Sequence, residues 1–175
     1  TFSSMLCLIA KGVLMSTDDL AKNALAILTR HIGEHELAAN QGPIVDWAIE
    51  NWTNRIADGS GWAKWCAGAV CTAYLEAGSE SIKLFGSLNV DTLFSRLQAN
   101  NLCFELSNRN PKPGDLIFLR SLKNIQANDL NHVGLVEKID GKRVFTVEGN
   151  SSNAVMRREY DLTNQRIAFF AEILS

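Results

Sequence analysis

The sequence lacks a long apolar run, a strong excess of charge of one sign, and any internal repeat. Its N-terminal apolar stretch, residues 5–10, is interrupted by Lys11 and Gly12 and is too short to span a membrane. The formal net charge is -2 at neutral pH, whereas nucleic-acid-binding domains typically carry a net positive charge. We therefore expect neither a membrane span nor a nucleic-acid partner.

Cysteine patterns typical of metal sites and disulfide frameworks are also missing. Cys7, Cys66, Cys71 and Cys103 form no Cys-x-x-Cys pair, and no histidine follows them at a zinc-ligand spacing. Cys71 and Cys103 lie in apolar segments, which predicts a core position for the first and an extended position for the second. We therefore expect no metal and no cofactor.

The length and composition indicate a single globular domain. A chain of 175 residues with 46% hydrophobic content is near the usual size of a single domain with one core. Ser16 or Thr17, followed by two acids, is a typical helix start, so we predict a domain over residues 16–175 and an N-terminal extension or mobile arm over residues 1–15. The absence of a basic leader argues against a signal peptide.

Cys66 begins an Ala-rich helical pattern that ends at Ala77-Gly78. In the first turn of a helix, free backbone N–H groups and the positive end of the helix dipole favour an anionic sulfur. A cysteine nucleophile needs such a thiolate. A free cysteine next to Trp65 is equally typical of a simple core position.

His132 precedes an apolar strand pattern, and Asp140-Gly141 then predicts a tight hairpin turn. A histidine at that strand end is placed to face a cleft, or else to bond a nearby loop. The next strand carries Thr146, Glu148 and Asn150 two residues apart, which predicts that they share a face. Either Glu148 or Asn150 can accept the N–H of an imidazole and orient it, although the segment after Glu148 also has good turn chemistry.

The segments around Cys66, Pro113-Gly114-Asp115, His132 and Glu148-Gly149-Asn150 resemble, in order and spacing, the CHAP-domain family of cysteine, histidine-dependent amidohydrolases and peptidases of the NlpC and papain-like group. The resemblance extends from about residue 31 almost to the C-terminus. It implies that Cys66 is the nucleophile, that His132 is the general base, and that Glu148 orients His132. Asn150 is implied as a fourth polar member of the site. Lys64, Gly68 and Asn131 depart from the family pattern without removing a catalytic group.

The resemblance and the patterns together predict an α+β, papain-like fold with N-terminal helices packed on a C-terminal antiparallel sheet of about five strands. Helices are predicted over residues 17–32, 43–52, 66–75 and 90–100, and strands near residues 116–119, 133–139, 144–148, 155–160 and 167–173. Trp62 and Trp65 precede the cysteine helix, and we expect them to line the substrate cleft. Trp47 and Trp52 are interpreted as helix core residues.

Most known members of the family cut amide bonds of bacterial peptidoglycan, so the expected partner is the cell wall outside the cytoplasm. Without a visible export signal, delivery would depend on a phage particle, secretion machinery or host lysis. Two other hypotheses stay open at this stage: a non-catalytic wall-binding module of the same fold, and a thiol hydrolase or deamidase toxin that acts on a protein amide. The motifs do not choose the scissile bond.

Overall fold

The computed structural model describes residues 15–55, 65–123, 125 and 129–175, with the side chains of 53–55 left aside. Helices come first along the chain and strands follow. The helices are α1 (Thr17–Arg30), α2 (Pro43–Ile49), a 3-10 helix (Glu50–Arg55), α3 (Cys66–Glu76), α4 (Glu80–Phe85) and α5 (Val90–Ala99). The strands are β1 (Cys103–Phe104), β2 (Leu116–Arg120), β3 (Leu130–Asp140), β4 (Arg143–Ser151), β5 (Ala154–Asp161) and β6 (Ile167–Ala171).

The strands form one antiparallel sheet in the order β1-β6-β2-β3-β4-β5. The predicted α+β class, with helices followed by an antiparallel sheet, is confirmed. The sheet has six strands because β1, at the predicted extended position of Cys103, adds to its edge. α4 is an element that the apolar periodicity did not reveal, and its start is capped by Ser79, whose hydroxyl accepts the N–H of Ile82.

α3 lies at the centre of the fold. It packs against α1 and α2 on one side and against β3 and β4 on the other. Gly68 allows α3 to approach α2 closely, because a Cβ at this position would lie 2.4 Å from the carbonyl oxygen of Ala48 near the end of α2. The glycine that weakens this helix locally is therefore explained by helix packing. The far end of α3 is tied to the turn before β2, since the Tyr74 hydroxyl donates to the carbonyl oxygen of Gly114 at 2.7 Å.

The two faces of the sheet carry separate apolar clusters. The larger one joins the helices to residues such as Val133, Leu135 and Val147. The smaller one, on the other face, is built from Ile117, Leu119, Val136, Val144 and Phe170. Within the described residues, no helix has the length and apolar content needed to cross a membrane.

Candidate active site

Cys66 is the first residue of α3 and is fully buried. The residue before it, Trp65, provides no side-chain cap to the helix. The first backbone N–H groups of α3 are therefore not satisfied by a capping side chain, and they favour negative charge at Cys66. The thiol is hydrogen-bonded to His132. This imidazole partner distinguishes Cys66 from an ordinary core cysteine.

His132 lies on β3, where it is paired with Leu119 of β2. Its Nε2 lies 2.7 Å from Oε2 of Glu148, which leaves Nδ1 as the ring nitrogen for the thiol. Burial opposes a charge on this ring, but the hydrogen bonds and negative charges of Cys66 and Glu148 outweigh burial and raise the pKa of His132 to about 10. The ring is therefore held in the charged form that a thiolate–imidazolium pair requires.

Glu148 lies on β4 with 1% of its surface exposed. Its Oε1 accepts the hydroxyl of Thr146 at 2.6 Å and the hydroxyl of Tyr160 at 2.8 Å. Burial would raise the pKa of this carboxyl, but the hydrogen bond and charge of His132, together with the two hydroxyls, lower it below its ordinary value. The buried carboxylate thus stays ionised and fully hydrogen-bonded beside the imidazole.

Gly134 makes the approach of Glu148 to His132 possible. A Cβ at Gly134 would lie 2.6 Å from Cγ of Glu148. Because Gly134 and His132 are two residues apart on one strand, they share a face, and the absent side chain leaves the space that the Glu148 side chain occupies. A glycine inside a strand pattern indicates a close approach of another group, and Gly134 is such a glycine.

The β4 ladder is irregular directly after Glu148. Glu148 pairs with Met156 and Ser151 with Ala154, with a bulge between them, and Asn150 has a φ of 53°. The regular alternation that placed Asn150 on the face of Glu148 therefore does not continue through this segment. Asn150 is half-buried at this bulge, and its role as a fourth polar member of the site stays a prediction.

Trp65 does not line a cleft as predicted. The ring was expected to line the substrate cleft, but the structure buries it completely. Its Nε1–H donates to Oε1 of Glu36 at 2.5 Å, and a Cβ at Gly149 would lie 2.9 Å from the ring. The indole fills the space between α3 and the end of β4, so it offers no exposed face on which a sugar or peptide could stack. Trp62 lies outside the described residues.

Several other histidine, tryptophan and cysteine residues have different contacts. His31 lies against Trp47 with ring centroids 4.2 Å apart, and its Nδ1 lies 3.0 Å from Oε1 of Glu34. Trp52 is buried as predicted. Cys71 is buried, with its Sγ 3.7 Å from the carbonyl oxygen of Ser87, and burial raises the pKa of the half-buried Cys103 thiol. Among the residues that the structure describes, no group of three or more His, Cys, Asp or Glu side chains is arranged to hold a metal ion.

The sequence patterns predicted no contact for Tyr160, Glu36 or Gly134. Tyr160 was included only as the end of a predicted strand, and its contact with Glu148 depends on the pairing of β4 with β5. Glu36 reaches Trp65 from the loop after α1, across 29 positions of the chain. No spacing pattern predicts either contact, because each joins two segments that are brought together only when the chain folds.

The arrangement contains the groups that thiol acyl transfer requires. A cysteine lies at a helix start, an imidazole contacts it, and a buried carboxylate holds the imidazole from its other nitrogen, which are the groups that can supply a nucleophile, transfer its proton and orient the ring. These are the chemical roles of a nucleophile, a general base and an orienting group.

Comparison with known proteins identifies one family. The family model of the CHAP domain matches residues 44–150, a range that includes Cys66, His132, Glu148 and Asn150. A solved structure titled "The crystal structure of Ly7917" is similar with 14% sequence identity and a TM-score of 0.44, over 91% of this chain and 63% of that chain. This chain thus spans less than two thirds of the length of that protein. No curated protein matches the sequence.

Proposed function

This chain belongs to the CHAP-domain family, and we propose that it is a cysteine-dependent hydrolase that cleaves an amide bond of bacterial peptidoglycan. The family is one of amidases and peptidases of the peptidoglycan-hydrolase type. The observation that carries the proposal is the position of His132, which contacts Cys66 and, through Nε2, Glu148 at 2.7 Å.

In the proposed reaction, the Cys66 thiolate attacks the carbonyl carbon of the scissile amide. The carbonyl oxygen becomes an oxyanion, and backbone N–H groups at the start of α3, including that of Cys66, are the donors placed to stabilise it. One such donor contributes about 3 kcal/mol in comparable sites. His132 then gives its proton to the leaving amine as the C–N bond breaks, which produces a thioester on Cys66.

Water resolves this thioester in the second half of the reaction. His132, now neutral, takes a proton from the water molecule, and the resulting hydroxide equivalent attacks the acyl carbon. The C–S bond breaks, the carboxylic acid leaves, and the thiolate–imidazolium pair is restored. Glu148 stabilises the imidazolium in both halves and keeps the ring oriented with Nδ1 toward the sulfur.

The proposed substrate places the action of this protein on the bacterial cell wall, outside the cytoplasm. Delivery by a phage particle, by secretion machinery or by host lysis belongs to this proposal. The bond that is cut, whether between sugar and peptide, within the stem or in a cross-bridge, depends on the substrate that the cleft accepts.

The test is to incubate the wild type and Cys66→Ala with peptidoglycan sacculi of several chemotypes and to identify the released fragments by mass spectrometry. We expect the wild type to release fragments whose new termini name the bond, and Cys66→Ala to release none. Cys71→Ala and Cys103→Ala are matched controls, since they remove thiols outside the site and should retain hydrolysis.

The same preparation separates the alternatives. Rapid alkylation of Cys66 by iodoacetamide at neutral pH, without release of fragments from any sacculus, would contradict the peptidoglycan substrate and favour a hydrolase or deamidase that acts on a protein amide. An unreactive Cys66 together with binding to sacculi would contradict the enzyme altogether and favour a wall-binding module.

A further inference from the structure

We propose that Tyr160 is a positioning residue of this site, whose hydroxyl holds one carboxylate oxygen of Glu148 so that the other oxygen is presented to His132. The inference rests on the proposed roles of His132 and Glu148 and adds a residue to them. Tyr160 lies on β5, beyond residues 44–150 that match the family.

The two oxygens of Glu148 have separate partners. Oε2 faces Nε2 of His132 at 2.7 Å, whereas Oε1 accepts hydroxyls from Tyr160 at 2.8 Å and from Thr146 at 2.6 Å. A carboxylate bonded at both oxygens cannot rotate about its terminal torsion without breaking hydrogen bonds. Its orientation toward the imidazole is therefore fixed from the side opposite the imidazole.

The contact spans several rungs of the sheet. Tyr160 is paired with Val144, whereas Glu148 is paired with Met156. Four residues along a strand correspond to about 13 Å, so the contact requires two long side chains that point toward each other. A tyrosine has the length and a terminal O–H donor, and a phenylalanine has nearly the same length but no donor. The hydroxyl is thus the part of the residue on which the proposal depends.

Burial and the negative charge of Glu148 keep the Tyr160 hydroxyl protonated, so that it can donate. Burial, and then the negative charge and hydrogen bond of Glu148, raise the pKa of Tyr160 well above its ordinary value, against the opposing charges of Arg166 and Arg158. The phenol therefore remains protonated across the neutral range. The titratable groups that face Glu148 are His132 from β3 and Tyr160 from β5, with Cys66 of α3 acting through His132.

The competing explanation is that Tyr160 only packs, since its ring lies against the smaller apolar cluster. Tyr160→Phe separates the two explanations because it keeps the ring and removes the donor. Tyr74→Phe is the matched control, because it deletes the hydroxyl of the buried Tyr74, which lies near the other end of α3 from Cys66 and donates to Gly114.

The measurement is the ¹⁵N and ¹H spectrum of histidine-labelled protein followed against pH, without substrate, with His31 and His35 as internal references. For Tyr160→Phe we expect the Nε2 proton of His132 to exchange with solvent severalfold faster. We also expect the acid transition of the His132 signals to move to higher pH, since a carboxylate that loses a donor protonates more readily. Tyr74→Phe should lower the melting temperature and leave both properties unchanged.

The inference is overturned if Tyr160→Phe gives the His132 signals and acid transition of the wild type, or changes them only as Tyr74→Phe does. A second arm places Tyr160→Phe in the Glu148→Gln background, where no further change of the acid transition is expected because no carboxylate remains. An equal shift in both backgrounds would refute the role. Because no substrate is involved, these outcomes are independent of whether peptidoglycan fragments are released.

Discussion

Nε2 of His132 and Oε2 of Glu148 lie 2.7 Å apart across neighbouring strands, and the carboxylate is 1% exposed while the imidazole ring remains partly accessible. The buried carboxylate is tolerated because it accepts hydrogen bonds from His132, Thr146 and Tyr160. The same contact orients the imidazole toward Cys66, so the stability of the β3–β4 pair and the proposed chemistry depend on one hydrogen bond.

Replacement of Glu148 by glutamine should slow hydrolysis without abolishing it. The amide oxygen still accepts the Nε2–H of His132, but the charge that stabilises the imidazolium is lost. A charge-assisted hydrogen bond exceeds a neutral one by about 1 to 2 kcal/mol, so we expect roughly a five- to thirtyfold loss of kcat/KM. His132→Ala, measured in the same assay of fragment release, should remove activity entirely. A glutamine variant as inactive as His132→Ala would show that the charge, and not only the orientation, is indispensable.

The ion pair should stabilise the fold within a defined pH window. The pKa of His132 is raised above its ordinary 6.5, so its contribution is complete below pH 6.5 and is lost as the pH rises toward about 10. The pKa of Glu148 is lowered below its ordinary 4.5, so its contribution is complete above pH 4.5 and is lost as the pH falls through the folded value. Urea unfolding at several pH values should therefore show the largest stability difference between wild type and Glu148→Gln at pH 4.5 to 6.5. A difference that grows steadily up to pH 10 would contradict the assigned direction for His132.

Gly134→Ala adds only a methyl group but should reduce activity clearly. The new Cβ would lie 2.6 Å from Cγ of Glu148, so the carboxylate must move away from His132 or β3 must shift. Overpacking of this kind costs about 1 to 3 kcal/mol of stability. Denaturant unfolding and fragment release measured on one preparation should show both losses. Gly68→Ala is a useful companion, because its Cβ would meet Ala48 instead of the site and should destabilise the fold without moving Glu148.

Trp65→Phe should lower stability and leave KM for the sacculus substrate unchanged. The substitution keeps an aromatic ring in the buried space but removes the N–H that donates to Glu36 at 2.5 Å. Oε1 of the half-buried Glu36 loses its indole donor, and a hydrogen bond to a charged group contributes about 1.5 to 3 kcal/mol at most here. Thermal unfolding and steady-state kinetics together check this expectation. A several-fold rise of KM with unchanged stability would restore the substrate-binding role that the burial of Trp65 argues against.

The sequence predicted the fold class and the family because both depend on local patterns. The apolar period of a strand and the Ala-rich run after Cys66 are properties of short segments, and the structure confirms strands β2 to β6 and helix α3 at those positions. Ser16 was predicted as one of two caps for α1, and its hydroxyl accepts the N–H of Asp19. α4 was missed because a six-residue helix is too short to show a clear apolar period.

The sequence by itself determined which chemical groups this protein possesses: a thiol at the start of a helix, an imidazole at the start of a strand, and a carboxylate at the end of the next strand. Only the tertiary structure decided which of them meet. It buried Trp65, interrupted the alternation at Asn150, and brought Tyr160 to Glu148. Strand register and helix packing determine such contacts between distant segments, and neither can be predicted from the residue spacing within one segment.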